Sequence, residues 1–274
     1  IIDRTITSLK ALDFELTDEG DVESFLGIKI DHNPDGSFHM SQPDLIKRII
    51  ETLGLNNTSK QYKTPAVSPP LHEHTNGAPR EEKWNYRSVI GMLTYLARNT
   101  RPDLEYAVHQ CARFFRQPRA LHEVGAKHIV RYLKGTRDKG LIMKPHKDNL
   151  KLDLFADADF AGLFASEDKH DPVSVKSRTG ILLNFGDVPV CWSSKLQSEI
   201  ALSTLEAEYI ALSQGMRELV SARKLVLELG DRMDFDLKSV SQVSKAWEDN
   251  VGTQNLANSK GPLMTSRTKH IGIK

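Results

Sequence analysis

Three carboxylates in the second half of this 274-residue chain stand where regular elements begin or end. Asp157 closes the alternating run KLDLFAD, Glu206 lies in the opening of a long helical stretch, and Asp249 closes a short apolar segment. If the first and fourth strands of this half are parallel neighbours, both aspartates emerge at one sheet edge, and the helix can bring Glu206 to face them. Carboxylates gathered in this way repel one another and raise each other's pKa, unless a divalent cation neutralises them. Oxygen donors without His or Cys favour Mg²⁺ or Mn²⁺ over Zn²⁺. Two such ions about 4 Å apart would stabilise the attacking and leaving oxygens in phosphodiester cleavage. Each acid also has a plainer reading. Ser203-x-x-Glu206 has the form of a capping box, and Asp157 and Asp249 can be ordinary turn formers at strand ends. Residue type and spacing leave both readings open.

The elements that must position these acids follow from periodicity. KLDLFAD at 151–157 alternates as a strand, TGILLNFG at 179–186 and VPVCWSSK at 188–195 form two more around a tight turn, and 203–230 is a long helix. A short strand at 243–249 and a helix at 252–257 complete an α/β layer with a mixed sheet. Before a break near Lys147 the pattern differs. The run SFLGIKID, the turn Asn33-Pro34-Asp35-Gly36 and SFHMS predict a hairpin, and Pro43 opens a helix that Gly54 stops. Four prolines between 58 and 80 exclude a helix or a central strand there. Three helices are expected at 86–97, 102–116 and 118–134.

Hydrophobic content of 39% and charged content of 27% fit a folded chain rather than a disordered one. No apolar run approaches the roughly 20 residues that span a bilayer, and the first residues lack a signal peptide's basic lead and cleavage site. Neither a membrane protein nor a secreted precursor is expected. Two cysteines cannot build a disulfide framework, so an intracellular, reducing compartment is expected; Cys111, at helical spacing from Phe114 and Phe115, reads as core. The first 150 residues carry 22 Lys and Arg against 19 Asp and Glu, and the excess is concentrated at 113–139. Arg113, Arg116, Arg131 and Lys134 in that run could neutralise phosphates and make binding salt-dependent, or could form a solvated helix face. The initial Ile and the final RTKHIGIK suggest a piece of something longer.

The motifs ADADFAG (156–162), VKSRTG (175–180), VCWSSKLQ (190–197), ALSTLEAEYIAL (201–212), WEDNVGTQNLA (247–257) and SRTKHI (266–271), in this order, resemble the ribonuclease H region of copia-type LTR retrotransposon Pol polyproteins. SFLGIKI, the run MSQPDLIKRIIETLGL, YRSVIGMLTYLARNTRPDLEYAV and ALHEVGAKHIVRYLKGT resemble the reverse transcriptase segment that precedes it. The resemblance covers nearly the whole chain. It implies a mainly helical thumb and connection region with a β-hairpin at 1–147 and a ribonuclease H-like domain at 148–274, truncated at its C-terminus.

By the same resemblance Asp157, Glu206 and Asp249 match the first three acidic ligands of a two-metal ribonuclease that hydrolyses the RNA strand of RNA–DNA hybrids. A fourth ligand is expected beyond the RTKHI motif, and the polymerase aspartates upstream of Ile1. Whether the chain alone cleaves is therefore open, and the alternative is a catalytically inactive nucleic-acid-binding remnant of a degenerate element. Ser177, Arg178, Ser193, Ser194, Lys195 and Gln197 are candidate contacts to phosphate or 2′-hydroxyl groups. Phe25, Leu26 and Gly27 resemble the hairpin that grips the primer strand in reverse transcriptases. The implied partners are RNA–DNA hybrid, primer-template and the rest of the Pol polyprotein, in the cytoplasm or a virus-like particle. Glu248 is expected to point away from Asp249 on an extended strand.

Overall fold

The computed structural model describes residues 2–17, 20–73, 76–144, 150–164, 171–233 and 244–259. Both the boundary near Lys147 and the SRTKHI motif lie outside them. Helix α1 (Ile2–Lys10), not foreseen from sequence, precedes a four-stranded antiparallel sheet of β1 (Ser24–Phe25), β2 (Ile28–His32), β3 (Phe38–Ser41) and, about a hundred residues later, β4 (Leu141–Met143), in that spatial order. The β2–β3 hairpin forms where expected. Gly36 takes φ +79° in its turn, and the Asp35 carboxylate accepts from the Ser37 amide (3.0 Å) and hydroxyl (2.6 Å).

The helices of this half share one core. Pro43 opens α2 (Pro43–Thr52), which buries Ile46, Ile49 and Ile50. Asn85 caps α3 (Tyr86–Asn99) by accepting from Ser88 N at 3.0 Å. The helix expected over 102–116 is a 3₁₀ turn (Pro102–Leu104) followed by α4 (Glu105–Ala112), and α5 spans Ala120–Lys134. The Pro-rich stretch 58–80 has no helix or strand among its described residues, yet it drives Leu71 into the core. Cys111 is buried there as expected. Polar side chains brace the assembly. Arg101, 1% exposed, donates to Asp103 at 2.9 and 2.7 Å and to the Thr136 carbonyl at 2.9 Å. Arg80 pairs with buried Glu123 at 2.9 Å. His122 is buried, with Nδ1 accepting from Arg119 N at 2.8 Å.

The second half is a mixed sheet ordered β7-β6-β5-β8, where β5 is Leu152–Asp159, β6 Arg178–Phe185, β7 Val188–Leu196 and β8 Lys245–Trp247. Neighbours are antiparallel except β5 and β8, which run parallel, as the reading of the first and fourth strands required. Helix α6 (Thr204–Met233) packs on the face bearing Leu152, Leu154, Ile181 and Leu183. A Cβ on Gly215 would sit 2.9 Å from Leu154 Cδ1, so glycine lets helix and strand approach closely. The opposite face meets the helical half: Trp192 Nε1 donates to the Ala97 carbonyl (2.9 Å), and Arg178 lies 3.0 Å from His109 Nδ1.

Candidate functional site

Pairing of β8 with β5 stops at Phe155↔Trp247, so among the described residues no strand flanks the last residues of β5 on that side. Into this open edge come three carboxylates from three elements. Asp157, Glu208 and Asp249 each offer an oxygen, and these oxygens lie within 4.8 Å of one another. Asp157 sits inside β5 rather than at its end, because the strand continues to Asp159. Asp249 lies two residues beyond β8, held by helix α7 (Val251–Ala257). Asn250 caps α7 by accepting from Thr253 N at 2.9 Å, while buried Thr253 donates to the Leu205 carbonyl at 3.3 Å, which pins α7 to the start of α6.

Glu208, not Glu206, joins the aspartates. Glu206 completes the N-terminal cap: its amide donates to Ser203 Oγ (3.2 Å) and its carboxylate accepts from Leu202 N (2.8 Å). Two residues along a helix is a turn of about 200°, so Glu208 points to the other side, toward β5. An apolar stripe at Ala207, Ala211, Gly215 and Leu219 marks that sheet-facing side and is the sequence signal that could have selected Glu208.

The electrostatics of the edge are those of crowded like charge. Burial, then the charges of Glu248 and Asp157, push Glu208 up to about 7, against a partial offset from the Ala158 amide. Glu208 is 5% exposed, and its Oε2 has no hydrogen-bond partner among the described residues. Glu248 differs from expectation. Because β8 ends at Trp247, strand alternation does not carry to 248, and its carboxyl is raised by burial and by Asp249 and Asp157. Its Oε1 accepts from Asn250 N (3.1 Å), and its Oε2 is buried without a partner among the described residues. Buried oxygens left unsatisfied are costly, and an all-oxygen set is the donor chemistry of a hard divalent cation. Opposed oxygens on one Mg²⁺ would be about 4.2 Å apart, so the cluster needs only a small contraction to hold an ion.

The other candidates divide by exposure. Ser177, Arg178 and Gln197 are internal, which corrects their reading as surface contacts. Ser177 accepts from Ala161 N at 3.3 Å, and Gln197 donates to Thr179 Oγ1 (3.1 Å) and the Ala207 carbonyl (2.9 Å). Arg178 lies 4.9 Å over the Tyr106 ring, and burial lowers its pKa to about 10. Ser193 and Ser194 are half-buried and Lys195 is exposed. Phe25 and Leu26 are exposed, and both Leu26 (φ +51°) and Gly27 (φ +76°) are left-handed in a turn tied to α3 by the Tyr95 hydroxyl, which donates to the Leu26 carbonyl at 2.7 Å. Of the basic run, Arg116 is exposed and Arg113 and Arg131 are half-buried. Lys134 is spent on structure, donating to the carbonyls of Leu55 (2.8 Å), Asn56 (3.0 Å) and Thr58 just beyond α2.

A mixed α/β chain with an oxygen-only acid cluster at the edge of a parallel strand pair is the class that fold and site define. No protein-family model matches the chain. The retrovirus-related Pol polyprotein from transposon RE1 of Arabidopsis thaliana is 34% identical over 262 residues, covering 95% of this chain and 16% of that protein. A putative transposon Ty5-1 protein of Saccharomyces cerevisiae is 33% identical over 221 residues, 80% of this chain and 68% of that one. The chain belongs to the retrovirus-related Pol polyproteins of copia-type transposons. It spans about a sixth of the length of the RE1 polyprotein. Among solved structures, a foamy viral protease-reverse transcriptase in complex with double-stranded DNA is similar at 14% identity and a TM-score of 0.40, over 92% of this chain and 35% of that one.

Proposed function

We propose that residues 148–274 form a ribonuclease H-like domain that hydrolyses the RNA strand of RNA–DNA hybrids, and that residues 1–147 are the C-terminal part of the adjoining reverse transcriptase. The observation that carries this reading is the convergence of Asp157, Glu208 and Asp249 to within 4.8 Å from three separate elements. These residues would hold Mg²⁺ or Mn²⁺, which when bound supplies charge stabilisation to the attacking and leaving oxygens of a phosphodiester. The chain's own part is positional. β5 fixes Asp157, the second turn of α6 presents Glu208, and the α7 cap holds Asp249, so the ligands are set before substrate arrives. Glu248 adds negative charge beside them and strengthens cation affinity. Hybrid, primer-template and the remainder of the polyprotein are the partners in this reading, with an intracellular site of action. No described helix is long and apolar enough to cross a membrane.

Hybrid cleavage with Mg²⁺ tests it. Asp157→Asn and Glu208→Gln should each lower the rate by about a hundredfold or more, the scale seen when a transition-state electrostatic group is removed. Glu206→Gln should keep most of the rate. Equal losses for Glu206→Gln and Glu208→Gln would contradict the assignment, and absence of cleavage with intact hybrid binding would favour a catalytically inactive nucleic-acid-binding remnant.

A further inference from the structure

A carboxylate that leaves the surface elsewhere in this chain has positive charge beside it: Glu105, 7% exposed, has Arg98 and Lys195 to offset its burial. Half-buried Glu248 has the opposite surroundings. The charges that bear on it are those of Asp249 and Asp157. Of the charges that bear on Glu208, that of Glu248 is the largest, ahead of both aspartates. Its carboxylate therefore lies against the cluster acids, most strongly against the one that reaches in from α6.

Glu248 is held from both sides along the chain. Before it, Trp247 stacks on Phe155 with ring centroids 6.1 Å apart and donates from Nε1 to Asp153 at 3.2 Å. After it, the Asn250 amide donates to Glu248 Oε1 at 3.1 Å, and the Gln254 side-chain amide donates to the Glu248 carbonyl. One carboxylate oxygen thus fixes the side chain to the α7 cap. The other, Oε2, is buried with no hydrogen-bond partner among the described residues, and Oε2 of Glu208 is in the same condition. An ionised carboxylate can only accept, so an oxygen withdrawn from water is costly unless a donor or a cation reaches it. Two such oxygens, from α6 and from the segment after β8, meet at one crowded edge. Net charge points the same way. With Glu248 the edge carries four carboxylates, the number whose charge balances two divalent ions.

We propose that Glu248 is itself a ligand, its Oε2 joining the oxygens of Asp157, Glu208 and Asp249 on a divalent cation. The ligand role rests on the reading of these acids as a cation site, and it is additional to the ligand expected beyond the RTKHI motif. The experiment is isothermal titration calorimetry of the full chain with Mn²⁺ at pH 7.5, using the unaltered sequence, Glu248→Gln, Glu248→Asp, Glu208→Gln and Glu206→Gln. Gln keeps an oxygen for the Asn250 amide, and Asp accepts readily from an amide two residues on, so both variants at 248 retain the local turn. Loss of the ligand in Glu248→Gln should weaken Mn²⁺ binding roughly tenfold or more. Glu248→Asp should weaken it comparably, because the charge stays while the oxygen is withdrawn by one methylene. Glu206→Gln should bind as the unaltered chain does. Unchanged affinity in Glu248→Gln would overturn the proposal. So would full affinity in Glu248→Asp, which would mark a nearby charge instead of a ligand, or a loss in Glu206→Gln as large as that in Glu248→Gln. If Glu208→Gln still loses affinity in those cases, the cation site itself stands. Failure of that reading shows separately, as no Mn²⁺ binding by the unaltered chain, and it takes the ligand role of Glu248 with it.

Discussion

In the helical half, Arg101 meets Asp103, Glu123 meets Arg80, and Lys134 meets three carbonyls, so each of these charges is compensated where it lies. At the edge of the second sheet, buried Glu208 meets Glu248, Asp157 and Asp249. The surroundings differ in the same sense. Among the described residues, the helical half has one core of 23 buried apolar side chains, whereas the second half has two clusters of five each. The half with less apolar support therefore also carries the uncompensated charge. Like charges gathered at low exposure cost stability, and a bound cation is what would offset that cost.

Breaking a compensated charge should have the largest effect. Arg101→Met would strand Asp103, whose carboxyl burial alone would raise but which Arg101 and Tyr132 hold below its usual range. A loss of about 2–3 kcal/mol in urea unfolding is expected, chiefly from the Thr136 carbonyl and hydroxyl left without their donor, because water reaches Asp103. The seam between the halves gives the next effect. Burial, with the charges of Arg178, Arg113, Lys195 and Arg98, lowers the His109 pKa to about 4. The unfolded chain takes up that proton near pH 6.5, so the stability is fully present above 6.5 and falls as pH drops toward 4. About 2 kcal/mol should be lost by pH 5, and His109→Gln should flatten that part of the profile. Gly215→Val forces α6 off Leu154 and should cost about 1–2 kcal/mol in the same unfolding assay. Smallest is Ser203→Ala, expected to cost about 0.5–1 kcal/mol through loss of the cap at Glu206, with no effect on cation affinity.

Much of this was legible in sequence where a pattern is local. Alternation marked β5, β6 and β7, the Asn-Pro-Asp-Gly turn marked the hairpin, and the apolar periods placed α2, α3, α5 and α6 within a few residues. Parallel pairing of β5 with β8, the condition on which Asp157 and Asp249 come together, is met by the fold, but no sequence pattern decided it. Non-local facts were not visible. β4 has only three residues and is a strand because β3 offers it an edge. The choice between Glu206 and Glu208 turned on which face of α6 meets the sheet. The capping-box pattern drew attention to the acid that caps the helix and not to the one that meets the aspartates, although it identified the cap itself correctly. The burial of Arg178 and Gln197 follows from tertiary packing, and the motif around them says nothing of it.

The central claim is that Asp157, Glu208 and Asp249 share a divalent cation, and thermal unfolding at pH 7.5 with and without Mg²⁺ or Mn²⁺ tests it most directly. The account predicts that the cation raises the Tm of the unaltered chain, and that Glu208→Gln is at least as stable as that chain without cation and responds far less to it. A Glu208→Gln chain that is less stable without cation, yet gains as much from Mg²⁺ or Mn²⁺ as the unaltered chain, would contradict it.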